Sequence, residues 1–162
     1  MKYESSYGIK LGMKVKDKVT GFEGMVVHLY FPMHDAEKVG IQAPLKADGT
    51  LGESYTIDAV GVMINAMDTG ISPIDSQPLY NNGDVVRSKI QKVKGTIVGV
   101  VVYLNGCVNY TVCQHMPKGG KTQDYPDVKM KEGAIELIKK AKNPVKQQKA
   151  GGPMIKNNQF KM

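Results

Sequence analysis

Shifted by 71 positions, the chain falls on itself: Gly12-Met13-Lys14-Val15-Lys16-Asp17-Lys18-Val19 aligns with Gly83-Asp84-Val85-Val86-Arg87-Ser88-Lys89-Ile90 without a gap. The register continues, with Phe22 on Val93, Gly24 on Gly95, Val26 on Ile97, Val27 on Val98 and Leu29 on Val100. Agreement in apolar, glycine and basic classes over about 18 positions marks a duplicated unit, which restricts the fold to two copies of one small module. The boundaries expected from it are 1–76 and 77–142 for the two modules, with 143–162 as a tail.

Each copy reads as short strands. Val15/Val19 and Val86/Ile90 flank basic residues in extended runs, and Thr20-Gly21-Phe22-Glu23-Gly24 or Gln91-Lys92-Val93-Lys94-Gly95 supplies a turn. Gly24 stands where the next strand begins, a place suited to a bulge or a positive φ. Residues 25–31 and 96–103 are the most β-branched and aromatic runs, which favour a pleated surface over a helix. Third strands are expected at 39–43 and 108–112, and fourth strands around 54–57 and 125–128, after the turn-rich Lys46-Ala47-Asp48-Gly49 and Pro117-Lys118-Gly119-Gly120. Short strands punctuated by glycine suit a small barrel, whose closure removes exposed sheet edges.

The opening of each copy, a glycine, a basic-apolar strand, a turn, a glycine and a second apolar strand, resembles the KOW/Tudor-type barrel. The expected fold is therefore all-β: two tandem KOW/Tudor-like barrels with a short helix and an extended basic C-terminal arm. The helix is expected over 133–142, with Ile135 and Ile138 on one face docked on the second barrel and Asn143-Pro144 as its stop.

Charge separates the body from the tail. Residues 1–136 hold 15 Lys+Arg and 15 Asp+Glu, and residues 137–162 hold seven lysines and no acid. A neutral body with a basic extension points to an arm that lies on a partner, not to a basic groove on the folded surface. Lys146, Lys149, Lys156 and Lys161 supply its charge and Met154, Ile155 and Phe160 its apolar anchors, so these seven residues form the expected partner-binding set. Gln147-Gln148 and Gly151-Gly152-Pro153 cannot build a core of their own.

Other chemistry is sparse. Cys107 and Cys113 would lie roughly 20 Å apart along one straight strand, at about 3.3 Å per residue, beyond the reach of a disulfide. They are expected as free thiols packed as small apolar groups. His28, His34 and His115 show no metal-ligand spacing, and no nucleophile with a base or pair of carboxylates falls at an informative spacing, so neither enzyme activity, metal nor cofactor is expected. His28, between Val27 and Leu29, is expected on the opposite face, exposed or facing a partner. Gly119-Gly120-Lys121-Thr122 ends like a phosphate-binding loop, but His115 stands where the first glycine belongs. No run reaches the roughly 18 apolar residues of a membrane helix, and residues 1–6 lack the apolar run of a secretory signal, so a soluble protein made in a cytosol and without a membrane partner is expected.

Val15-Lys16-Asp17-Lys18-Val19-Thr20-Gly21-Phe22-Glu23-Gly24 and Leu104-Asn105-Gly106-Cys107-Val108-Asn109-Tyr110 together resemble two pieces of a small protein group of tailed bacteriophages, some of which stand among head and virion genes. The resemblance implies a virion location after synthesis in the host cytoplasm. The function expected from it is a virion structural protein, a capsid decoration or head accessory protein that binds the major capsid protein or other virion proteins, with self-association as a further partner. The alternative is a KOW-like nucleic-acid-binding factor, against which the single arginine, Arg87, counts.

Overall fold

The computed structural model describes residues 3–65, 68, 77–115 and 127–142. Among these residues ten strands form one antiparallel sheet: β1 (Lys14–Asp17), β2 (Glu23–Pro32), β3 (Lys38–Gln42), β4 (Ser54–Asp58), β5 (Val62–Ile64), β6 (Val85–Ser88), β7 (Lys94–Tyr103), β8 (Val108–Gln114), β9 (Val128–Lys131) and β10 (Ile135–Lys139). Single 3₁₀ turns, Ala59–Gly61 and Glu132–Ala134, precede β5 and β10. The expected all-β class holds, and the sheet is not closed: among the described residues β4 pairs only with β3 and β9 only with β8.

The two halves repeat each other pair by pair. In the first, β1 lies between β2 and β5 while β3 joins β2 to β4; in the second, β6 lies between β7 and β10 while β8 joins β7 to β9. Val15 faces Gly24 as Val86 faces Gly95, and the ladder slips by one residue after Val26 as it does after Ile97. The turns match too. Asp17 N–H donates to Phe22 O at 2.8 Å, and Ser88 N–H to Val93 O at 2.8 Å. Gly21 (φ 73°) and Lys92 (φ 57°) occupy the same left-handed position, which a lysine adopts only at some cost.

Period-two alternation sorts each strand between core and solvent. Val15, Val26, Leu29, Phe31, Val39 and Ile41 turn inward in the first half, and Val86, Ile97, Val100, Val102, Tyr110 and Val112 take the same places in the second, all in one continuous core. Residues 3–13 contribute to it. Tyr3, Ile9, Leu11 and Met13 are buried, the Tyr3 ring is 5.3 Å from that of Phe31, and the Tyr3 hydroxyl accepts from Asn82 N–H at 2.8 Å.

The halves meet along β2 and β7. His28 faces Tyr103, Leu29 faces Val102, Tyr30 faces Val101, Phe31 faces Val100 and Pro32 faces Gly99. Burial of Leu29, Phe31, Val100 and Val102 beneath this ladder seals it.

Several expectations are corrected. The segment expected as a helix from 133 is a 3₁₀ turn and β10, because Ile135 and Leu137 also alternate at period two and the backbone finds its partners in β6: Ile135 faces Ser88, Glu136 faces Arg87 and Leu137 faces Val86. Ile135 is fully buried and Ile138 is 41% exposed, so the two do not share a face. Val19 and Ile90 are not strand residues but turn tips, 88% and 83% exposed. Gly24 is absent from the positive-φ positions, and the slip of register falls after Val26; what Gly24 supplies is space. Cys107 and Cys113 are free, as expected, but exposed: Cys107 leaves the Asn105-Gly106 turn, and Cys113 is on the outer side of β8. The fourth strand of the second half begins at Val128, whereas 125 and 126 lie outside the described residues.

A polar knot fixes the entry to the second half. The fully buried Tyr110 donates its hydroxyl hydrogen to Glu132 Oε2, and its oxygen accepts from Tyr80 N–H at 3.2 Å; Glu132 Oε2 also accepts from Leu79 N–H at 3.0 Å. Burial, then the bond to Glu132, holds the phenol above the usual tyrosine range. Removing the hydroxyl leaves Tyr80 N–H and the carboxylate short of a partner, and an orphaned group of this kind costs about 1–3 kcal/mol. Tyr110→Phe should therefore lower the unfolding free energy by that amount, read as a lower urea midpoint at unchanged m-value, a loss that a purely apolar role for the ring would not give.

Candidate functional site

The outward face of the first half carries a groove of about 770 Å³, within the range of ligand-binding clefts. Its floor follows from alternation. With Val15 and Val26 inward, Lys14, Lys16, Met25 and Val27 face out, and β5 adds Met63 beside Lys16. One wall is the extended β3–β4 hairpin, which brings Leu45 and Leu51 over the floor.

That wall is braced. Ala43 N–H donates to Glu53 O at 2.9 Å, Lys46 N–H to Thr50 O at 2.9 Å and Gln42 Nε2 to Gly52 O at 2.7 Å. Asp48 Oδ1 accepts from the Thr50 hydroxyl at 2.6 Å and from its N–H at 2.9 Å, bonds that hold the Asp48 carboxyl below the usual range. Leu45 (64% exposed), Leu51 (75%) and Met63 (52%) nevertheless remain uncovered. A concave patch of this composition on a braced frame is suited to receiving an apolar surface.

The floor differs in the second half. Where the first half has Met25 and Met63, the register of the second places Thr96 and Glu136. Arg87 and Glu136 form an ion pair at 2.7 Å, and Thr96 Oγ1 lies 2.6 Å from His115 Nε2. At these two floor positions the same scaffold is thus apolar in the first half and polar in the second.

His28 sits at the junction of the halves. Its ring lies against Gly40, where an added Cβ would come within 2.0 Å of it, and 5.5 Å from the Tyr103 ring. It is half-buried. Burial, then the charge of Lys129, lowers its pKa from the ordinary 6.5. The unfolded ring takes up a proton near 6.5 while the folded ring resists, so the stability it contributes is present above that value and is lost as pH falls through the lowered folded pKa. Unfolding midpoints at pH 7 and pH 5 should therefore differ more for the parent chain than for His28→Gln; an equal difference would show that the ring is indifferent to its surroundings.

The seven tail residues expected to bind a partner, Lys146, Lys149, Met154, Ile155, Lys156, Phe160 and Lys161, lie outside the described residues. The groove was missed because its residues come from four separated stretches; the signal in the aligned copies is Met25 against Thr96, whereas the match of Met63 with Glu136 appears only in the strand register. Among the described residues there is no group of three metal-ligating side chains, and no helix is long and apolar enough to cross a membrane. No protein-family model, curated protein or solved structure matches this chain.

Proposed function

We propose that the chain is a non-enzymatic attachment protein of a bacteriophage particle, a capsid decoration or head accessory protein whose first half binds the major capsid protein or another virion component through its apolar groove. The observation that carries the binding role is the groove itself, with Leu45, Leu51 and Met63 uncovered on a braced frame, where the floor of the second half has Thr96 and an Arg87–Glu136 ion pair. The phage location rests on the two sequence segments that resemble tailed-phage proteins. We also read the halves as KOW/Tudor-like modules; the repeated five-strand order supports that reading, and the open sheet is where it departs from a closed barrel.

The occupant is an extended apolar segment of the partner. Covering a large apolar side chain contributes about 1.5–3 kcal/mol, and association costs about 4–15 kcal/mol, so the groove alone gives a modest affinity. The tail, with Met154, Ile155 and Phe160 as anchors, acts as a second contact linked through the chain and raises the total by avidity. Purified particles that lack this protein should take it up stoichiometrically at micromolar concentration, read by co-sedimentation. A chain that stays in the supernatant sinks the proposal. Retarded migration of nucleic acid that disappears steeply with salt would instead assign the basic tail to phosphates.

A further inference from the structure

The β2–β7 junction has a property that two unrelated surfaces would not share. Under the 71-residue shift, each of its pairs maps onto another pair of the same ladder. His28 facing Tyr103 becomes Gly99 facing Pro32, and Leu29 facing Val102 becomes Val100 facing Phe31; Tyr30 faces its own counterpart, Val101. A two-fold axis therefore passes through the Tyr30–Val101 pair. This is the self-complementary geometry of a dimer of identical subunits, here held within one chain.

The symmetry is broken at one contact. Tyr30 fills the space above Gly99, where an added Cβ would come within 2.6 Å of its ring. If two first halves paired in this register, His28 would stand in the place of Gly99, under the partner's tyrosine. If two second halves paired, Val101 would stand in the place of Tyr30 and leave a gap over Gly99. Only a first half against a second half fits, a selection made by steric exclusion as much as by attraction.

We propose that the junction is a homotypic dimer interface made one-sided by Tyr30 and Gly99, and that a second copy of this chain can supply the missing half, giving a closed dimer by reciprocal exchange. Separated halves would expose the β2 and β7 edges together with Leu29, Phe31, Val100 and Val102, which demand a partner. Within one chain the tether sets a high effective concentration and favours the closed monomer; folding at high protein concentration lets the other copy compete.

The full chain tests this. With Cys107→Ser and Cys113→Ser to remove the native thiols, His28→Cys and Tyr103→Cys place two thiols directly opposite across the ladder, within disulfide reach. Refolded dilute and then oxidised, this variant should run as a monomer. Refolded at increasing concentration, a rising fraction should run as a disulfide-linked pair, and the parent chain treated alike should show a species of twice its 17.7 kDa by light scattering. In the same cysteine-free background, Val101→Cys alone should not link, because position 101 meets another position 101 only if two second halves pair. A parent chain monomeric at every refolding concentration would overturn the exchange, and efficient linking by Val101→Cys alone would overturn the one-sidedness.

Discussion

Gly24→Ala and Gly95→Ala should each destabilise the chain by about 3 kcal/mol, the upper part of the usual cost of overpacking and a large share of the roughly 5–15 kcal/mol that holds a domain together. An added Cβ at Gly24 would lie 2.5 Å from the Gln42 carbonyl oxygen, and one at Gly95 would lie 2.3 Å from that of Cys113. Both contacts are with the backbone of the next strand, so relief requires separating β2 from β3, or β7 from β8, where the ladders begin. Gly99→Ala is the comparison. Its new methyl meets the far end of the Tyr30 side chain, which can tilt aside for one methyl though not for an imidazole, so its cost should be distinctly smaller. Urea unfolding at unchanged m-value measures all three, and a Gly99 variant as damaging as the other two would show that backbone proximity is not what these glycines relieve.

The same two glycines show what the sequence could and could not reveal. Their spacing identified the repeat, yet nothing in the sequence distinguishes a glycine needed for φ from one needed for space. The long strands were legible because β-branched runs such as 96–103 have no helical alternative. Val62–Ile64 was too short to stand out. Ile135-Glu136-Leu137-Ile138 fits both period two and a three-residue spacing, and only the β6 edge, with Arg87 opposite Glu136, decides between them. The junction was hidden for a different reason. Alternation assigns a face to each residue but says nothing about which strand edge it meets, and the two-fold relation appears only when the β2–β7 register is known.

Converting the groove into the face that the second half already carries should abolish attachment and leave the fold intact. Met25→Thr and Met63→Glu install the residues that stand at the equivalent register positions of β7 and β10. The introduced carboxylate at position 63 faces Lys16, as Glu136 faces Arg87, so the strand pairing that tolerates it in one half tolerates it in the other. Lys16 is already 3.5 Å from Glu23 on an exposed surface, so the exchange of partners should shift stability by no more than about 1 kcal/mol. Binding responds differently. Met63 is 52% exposed and has roughly half its apolar surface left to bury, a contribution of about 1 kcal/mol; Met25 adds to it, and a buried carboxylate opposite an apolar segment costs several kcal/mol more. The sum is at least about a hundredfold in affinity. Co-sedimentation with particles should therefore drop to background for the double variant while its urea midpoint stays near that of the parent. Undiminished binding by a folded double variant would move the attachment surface away from the groove and leave the tail to carry it.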